Sequence, residues 1–241
     1  MMRRDRRRSA VAISPRSIFG SSLAAWYQFN RGITLGTPPE VAAWADQSGR
    51  ANDLVQTTVA SRPFTAADGV DFDGIDDNIA APSSSTLDVV SALTVAIRVK
   101  PDVVTSNRCP IARSLTTAGT WSAQTNNAAM RFHFGAPGVN TGEAASQLTA
   151  GVEVTLVWVY AGGGATNADR LQLWRDGVLQ TQTYSGTIPA TATNTANTLS
   201  IGSFSSATGQ FWDGRIKGAV VAIASATTAQ RTALERYLGA L

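Results

Sequence analysis

The sequence predicts an all-β fold, a sandwich or barrel of short antiparallel strands, with one C-terminal helix and a basic N-terminal arm. Three observations lead there. Short apolar runs alternate residue by residue with polar ones between turn signals; Asp176-Gly177 marks a tight hairpin; and helical periodicity appears only at the end of the chain.

The elements follow in order. Residues 1–22 stand apart in composition, with arginines at 3, 4, 6, 7, 8 and 16 and a Gly20-Ser21-Ser22 close. Residues 23–241 read as one body. Leu93, Val95, Ile97 and Val99 share one face of a strand, with Arg98 and Lys100 on the other. Met130, Phe132 and Phe134 alternate with Arg131 and His133, and Val154, Leu156, Trp158 and Tyr160 form another inward row. Leu171–Arg175 and Val178–Gln180 flank Asp176-Gly177, a pair that supplies the positive φ angles of a type I′ turn. Residues 216–224 are nearly continuously apolar, as in a central strand covered on both sides. Gly162–Gly164 and residues 191–197 read as loops. Thr227 and Gln230 form a capping box, and Leu234, Tyr237 and Leu238 make one apolar stripe, so a helix is expected over 228–239.

The chain has 241 residues, of which 44% are apolar and 15% charged, a balance that argues for a folded body rather than a disordered one. One cysteine, Cys109, allows neither an internal disulfide nor a cysteine zinc cage, and suits folding in a reducing cytoplasm. It is expected to be a small, half-buried strand residue. Six arginines against Asp5 give the first sixteen residues a charge of +5, leaving −2 of the total of +3 for the remaining 225. Positive steering therefore belongs to the arm, and the body lacks the charge expected of a nucleic-acid-binding surface. The apolar run Ala10–Ile13 is too short for a secretory h-region, and no run approaches a membrane span, so no membrane insertion is expected.

Three stretches together resemble the laminin-G-like, concanavalin A-like lectin/glucanase superfamily. The first runs from Trp44-Ala45-Asp46-Gln47-Ser48-Gly49-Arg50-Ala51-Asn52-Asp53 through Ser61-Arg62-Pro63 to Val70-Asp71-Phe72-Asp73-Gly74-Ile75-Asp76-Asp77. The second is the Leu171–Leu179 hairpin. The third comprises Leu199-Ser200-Ile201-Gly202, Gly214-Arg215-Ile216 and the closing helix with Glu235-Arg236-Tyr237-Leu238. The resemblance implies a two-sheet antiparallel jelly-roll sandwich over residues 23–241. The opening Ser14–Phe19 and Ala25-Trp26-Tyr27 are also similar to laminin-G-like proteins encoded among phage tail and structural genes. The superfamily spans enzymes, lectins and adhesion modules, so fold alone chooses no function.

Candidate chemistry is sparse. Glucanases of this superfamily carry an E-x-D-x-E strand motif, whereas Glu40, Glu143, Glu153 and Glu235 are widely separated here, so no enzyme is expected. His133 is the sole histidine and no G-x-S-x-G elbow accompanies it. Asp71, Asp73, Asp76 and Asp77, with Asp68 nearby, offer the oxygen ligands that calcium takes. The competing reading, a self-bonded turn with strand caps, is favoured; apart from calcium no cofactor is expected. For glycans, Gln172 and Trp174 should share one polar face, Arg131 and His133 another, and Trp121, Phe211 and Trp212 fall in apparent loops. A loop or the terminal helix lying over Trp174 is the competing arrangement.

Two functions are weighed. The first is a non-enzymatic structural or accessory protein of a phage virion, made in the host cytoplasm and present as a homo-oligomer or in many copies. It would dock onto other virion proteins through Arg3, Arg4, Arg6, Arg7, Arg8, Ile18 and Phe19, and present a lectin-like sandwich to host-surface glycans. The second is a free carbohydrate-binding module of a bacterial adhesin or polysaccharide-degrading system.

Overall fold

A computed structural model describes residues 13–105, 107–114, 120–135, 139–204 and 210–241. The strands among the described residues, in chain order, are β1 (Leu23–Gln28), β2 (Ile33–Leu35), β3 (Val41–Trp44), β4 (Leu54–Val55), β5 (Phe64–Ala66), β6 (Gly69–Asp73), β7 (Ile79–Ala81), β8 (Ala92–Pro101) and β9 (Ile111–Arg113). Then come β10 (Trp121–Asn126), β11 (Ala129–Phe134), β12 (Thr141–Ala144), β13 (Val154–Ala161), β14 (Leu171–Arg175), β15 (Val178–Gln180), β16 (Thr183–Ser185), β17 (Leu199–Ile201) and β18 (Asp213–Ala222). Among the described residues three α-helices accompany them: α1 (Pro15–Phe19), α2 (Asn167–Arg170) and α3 (Thr228–Gly239).

The strands form two antiparallel sheets packed as a sandwich. One runs β16-β12-β11-β10-β9-β17-β7-β4-β3-β2; the other runs β15-β14-β13-β8-β18-β6-β5, with β1 also on β18. Between them lies an aromatic core in which Phe132 stacks on Trp121 at 5.7 Å and touches Trp158 at 5.5 Å, and Phe134 meets Tyr160 at 4.5 Å. The predicted inward rows of β8, β11 and β13 all point into this core.

The stretches of β8, β13 and β18 that lie under α3 are apolar on both faces because both are covered there. Ala96, Val157, Val159, Val220 and Ala222 look outward and pack under Leu234 and Leu238 of α3, together with Phe19, Leu23 and Trp26. The helix starts at the expected capping box, where the Thr227 hydroxyl accepts from Gln230 N and the Gln230 side chain accepts from Thr227 N. The β14–β15 hairpin also forms as read, with Arg175 opposite Val178 and Asp176 and Gly177 at φ +46° and +85°.

Residues 14–22 are part of this body rather than of a free arm. Ser14 and Ser17 cap α1 reciprocally, Gln230 Nε2 donates to Ile18 O at 3.0 Å, and Arg16 Nη2 donates to Gln47 O at 2.8 Å. Phe19 is buried against α3 and Ile18 packs beside it. This corrects the expectation that Ile18 and Phe19 anchor a partner: their apolar surface is spent on the chain's own helix. Arg3, Arg4, Arg6, Arg7 and Arg8 lie outside the described residues.

Two of the family segments are self-bonded turns. Asp46 gathers Trp26 N and Ser48 N on Oδ1, and the Ser48 hydroxyl and Asn52 N on Oδ2. Asp73 Oδ1 accepts from the amides of Ile75, Asp76 and Asp77, while Asp77 Oδ2 accepts from Asp73 N. Both use a carboxylate to replace missing ladder partners, which is why Asp stands at each turn. Cys109 is fully buried and joined to Phe211 only by an isolated bridge, outside any regular strand. Among the described residues no helix is long and apolar enough to cross a membrane.

Candidate functional site

The polar side chains converge at one margin of the sandwich. Strands β11, β12 and β16 lie side by side, and their register sets Arg131 opposite Glu143 and Glu143 opposite Thr183. Two residues along, His133 faces Thr141 and Thr141 faces Ser185. Side chains alternate across a strand, so all six belong to the outer face, opposite Met130, Phe132 and Phe134. They line a cleft of about 300 Å³.

The charges within it are matched. Arg131 Nε donates to Glu143 Oε2, and Asn126 Nδ2 donates to the same oxygen at 3.2 Å. His133 forms the floor, with Nδ1 2.7 Å from Thr141 Oγ1. Burial, with Arg131 adding to it and Glu143 opposing, pushes its imidazole down to about 4, so it is neutral at physiological pH. The hydroxyls of Thr183 and Ser185 complete the outer row; hydroxyls both donate and accept.

A second cleft, of about 370 Å³, adjoins the first where the chain crosses from edge strand β15 to edge strand β16. Gln172, Gln180, Gln182, Leu179, Tyr184 and Asp169 of α2 line it. Tyr184 separates the two. Lying between Thr183 and Ser185, its ring turns toward the opposite sheet, where its hydroxyl donates to Leu171 O at 2.9 Å. Gly142 stands opposite it, and a Cβ there would come within 2.9 Å of both Leu171 Cδ2 and Gln182 Nε2. Gln147 Nε2 donates to Gln180 Oε1 at 3.1 Å, whereas the Gln172 amide has no protein partner among the described residues.

Of the residues predicted for glycan contact, Arg131, His133 and Gln172 do line these clefts. Trp121 does not. It opens β10 rather than a loop, and its register opposite Phe134 turns it fully into the core. Trp174 shares the outer face of β14 with Gln172, as read, but α3 covers it: the Arg231 guanidinium sits 3.6 Å from the ring centroid. Sequence reasoning missed Thr141, Glu143, Thr183, Tyr184 and Ser185. Their alternating polar pattern was visible, but β12 and β16 are short and their pairing is not local.

Asp73, Asp76 and Asp77 can bring one carboxylate oxygen each within 4.8 Å of the others. Asp71 is not in that group and lies instead beside Arg215, whose Nε is 3.7 Å from its Oδ1. Burial, reinforced by the neighbouring carboxylates of Asp73, Asp76 and Asp71 against the Asp73 amide, pushes Asp77 up to about 7. Asp73 Oδ1 and Asp77 Oδ2 already accept backbone amides and Asp76 Oδ2 accepts the Ser61 hydroxyl, so half of the carboxylate oxygens in this group serve the turn itself.

Comparison with known proteins agrees with this architecture. The laminin-G family described as the concanavalin A-like lectin/glucanases superfamily matches residues 73–229. This chain belongs to that family. No curated protein matches it. Among solved structures it is similar to Trypanosoma rangeli sialidase in complex with sialic acid, with 12% identity over 89% of this chain, 33% of that one and a TM-score of 0.61. It is similar also to domain 4 of an extracellular GH43 arabinanase from Geobacillus stearothermophilus in complex with arabinotriose, with 14% identity over 89% and 98% of the two chains and a TM-score of 0.59. A third is botulinum neurotoxin type C, whose cell entry depends on two ganglioside molecules, with 10% identity, 92% and 52% coverage and a TM-score of 0.61. The chain thus spans about a third of the sialidase and half of the toxin chain. At these identities the likeness establishes the fold.

Proposed function

We propose that this chain is a carbohydrate-binding module without hydrolytic activity, reading short glycans in the two clefts that meet at Tyr184. The observation that carries the reading is the outward grid of Arg131, Glu143, Thr183, His133, Thr141 and Ser185, continued by the amides of Gln172, Gln180 and Gln182. Sugar recognition needs closely spaced donors and acceptors that can serve hydroxyls in both senses, beside some apolar surface, which Tyr184 and Leu179 supply. The arabinanase domain in complex with arabinotriose, matched over 98% of its length, supports a glycan ligand for this fold. Against catalysis, the two carboxylates that line the clefts among the described residues are both engaged, Glu143 by Arg131 and Asp169 by Thr166, whereas glycoside hydrolysis ordinarily takes an acid paired with a nucleophile or base.

The reading is tested on a glycan array with the full chain beside Thr183→Arg, which fills the first cleft from its outer row, and Gln172→Ala in the second. Binding is expected for the native chain and its loss, about tenfold or more, in either variant. Array hits unaffected by both substitutions would place recognition elsewhere. Release of reducing ends from a panel of β-glucans would overturn the non-enzymatic part.

The setting proposed is a phage virion in which Arg3, Arg4, Arg6, Arg7 and Arg8 dock the module onto a neighbouring subunit. The phage-like opening of the sequence and the concentration of positive charge in its first eight residues support it. Deleting residues 2–12 should abolish incorporation into particles; normal incorporation would refute the docking role.

A further inference from the structure

We infer that the ligand is a neutral oligosaccharide, at least two sugars long, and that the Arg131–Glu143 pair is what keeps acidic sugars out. The inference rests on the glycan-binding reading above. An arginine in a sugar cleft ordinarily suggests a carboxylate or sulfate ligand, because its guanidinium fork matches such groups. Here the Nε edge of that fork is already claimed and its charge is matched. Its Nε is bonded to Glu143 Oε2, the carboxylate is pinned a second time by Asn126, and both charged side chains are about one-third exposed or less. An anion on the remaining guanidinium nitrogens would meet the charge of the Glu143 carboxylate bonded to the same group.

Among the described residues nothing else lining the clefts offers compensating positive charge. His133 carries none at neutral pH, since it is buried and faces Arg131. The second cleft adds only Asp169, whose Oδ2 accepts from the Thr166 amide and hydroxyl at 3.0 and 2.7 Å. The lining of the two clefts together therefore carries a net charge of −1. What remains is hydroxyl and amide chemistry, which suits uncharged sugar hydroxyls.

The size argument concerns chain length. Ligand sites range over ~300–1,000 Å³, and each cleft, at about 300 and 370 Å³, sits at the small end. Both are lined by Tyr184, and the length claim is that one ligand reaches across that residue from one cleft to the other.

The test uses amide NMR of the isotope-labelled full chain, titrated with arabinotriose, maltotriose and lactose as neutral probes and with trigalacturonate and 3′-sialyllactose as anionic ones. At least one neutral trisaccharide should shift amides in both 172–184 and 141–143, about tenfold more tightly than either anionic probe. Glu143→Gln frees the guanidinium and should shift the ratio of anionic-probe to neutral-probe affinity about tenfold toward the anionic ones. Anionic probes binding these amides as tightly as neutral ones, or Glu143→Gln failing to shift that ratio, would overturn this inference and leave glycan binding standing. A neutral probe that shifts only one cleft would overturn the length claim. No shift at either cleft with any probe at millimolar concentration would count against glycan binding itself.

Discussion

Replacing Arg113 by Met probes how the end of the sandwich is held. Arg113 ends β9 between Trp121 of β10 and Leu199 of β17, and its side chain is 1% exposed. Its guanidinium donates to Leu87 O at 2.7 Å, to Asn194 Oδ1 at 2.9 Å and to the Asp88 carboxylate. Asn194 in turn clasps Val89, accepting from its N and donating to its O. One buried cation thus ties segment 84–89 to the loop around 194. Methionine keeps much of the stem volume and removes every donor. Three charge-assisted hydrogen bonds at ~1.5–3 kcal/mol each are lost, offset by the several kcal/mol no longer spent desolvating the guanidinium. The expected net loss is ~3–4 kcal/mol, which at ~2–4 °C per kcal/mol for a domain of this size lowers Tm by roughly 6–16 °C. Calorimetry with a parallel urea titration measures it. Arg113→Lys keeps the charge but not the fork, and should recover less than half of the loss. A Tm drop under ~2 °C, or full recovery by lysine, would refute this account of the tie.

Four further outcomes follow from the geometry. Asp77 has a folded pKa of about 7, above its ordinary value of 3.8, so wild-type stability from this group is greatest near pH 4 and falls as pH rises toward 7. Asp77→Asn should therefore stabilise the protein by ~1–3 kcal/mol at pH 8 and hardly at all at pH 4, read from urea titrations at both pH values; His133, whose folded pKa of about 4 acts in the opposite sense, is common to both proteins and cancels. Arg231→Ala should uncover Trp174, costing ~1–3 kcal/mol and shifting tryptophan emission to the red. Deleting residues 2–12 should leave Tm within ~1 °C, whereas deletion through Phe19 should cost ~3–5 kcal/mol, because that ring is buried against α3. Calcium or a chelator should move Tm by less than ~1 °C, since the acidic turn is already satisfied by its own amides.

The sequence by itself determined the β architecture, the hairpin at Asp176-Gly177, the inward rows of β8, β11 and β13, and the helix at 228–239 with its capping box. These rest on period-2 and period-3.6 patterns and on turn chemistry, which act between residues near in the chain. It also put Arg131, His133 and Gln172 forward, because each stands opposite an apolar neighbour on its strand. Tertiary structure alone decided the rest. Trp121 and Trp174 both looked available, yet a strand register turned one into the core and a helix more than fifty residues away covered the other. Ile18 and Phe19 read as anchors for a partner because nothing local could bury them; the helix that does lies over two hundred residues on. The clefts themselves arise because β12 and β16, forty residues apart, align Glu143 with Thr183 and Thr141 with Ser185. Alternation tells which side of a strand a residue takes, but which strands become neighbours depends on how the whole sheet closes over its core.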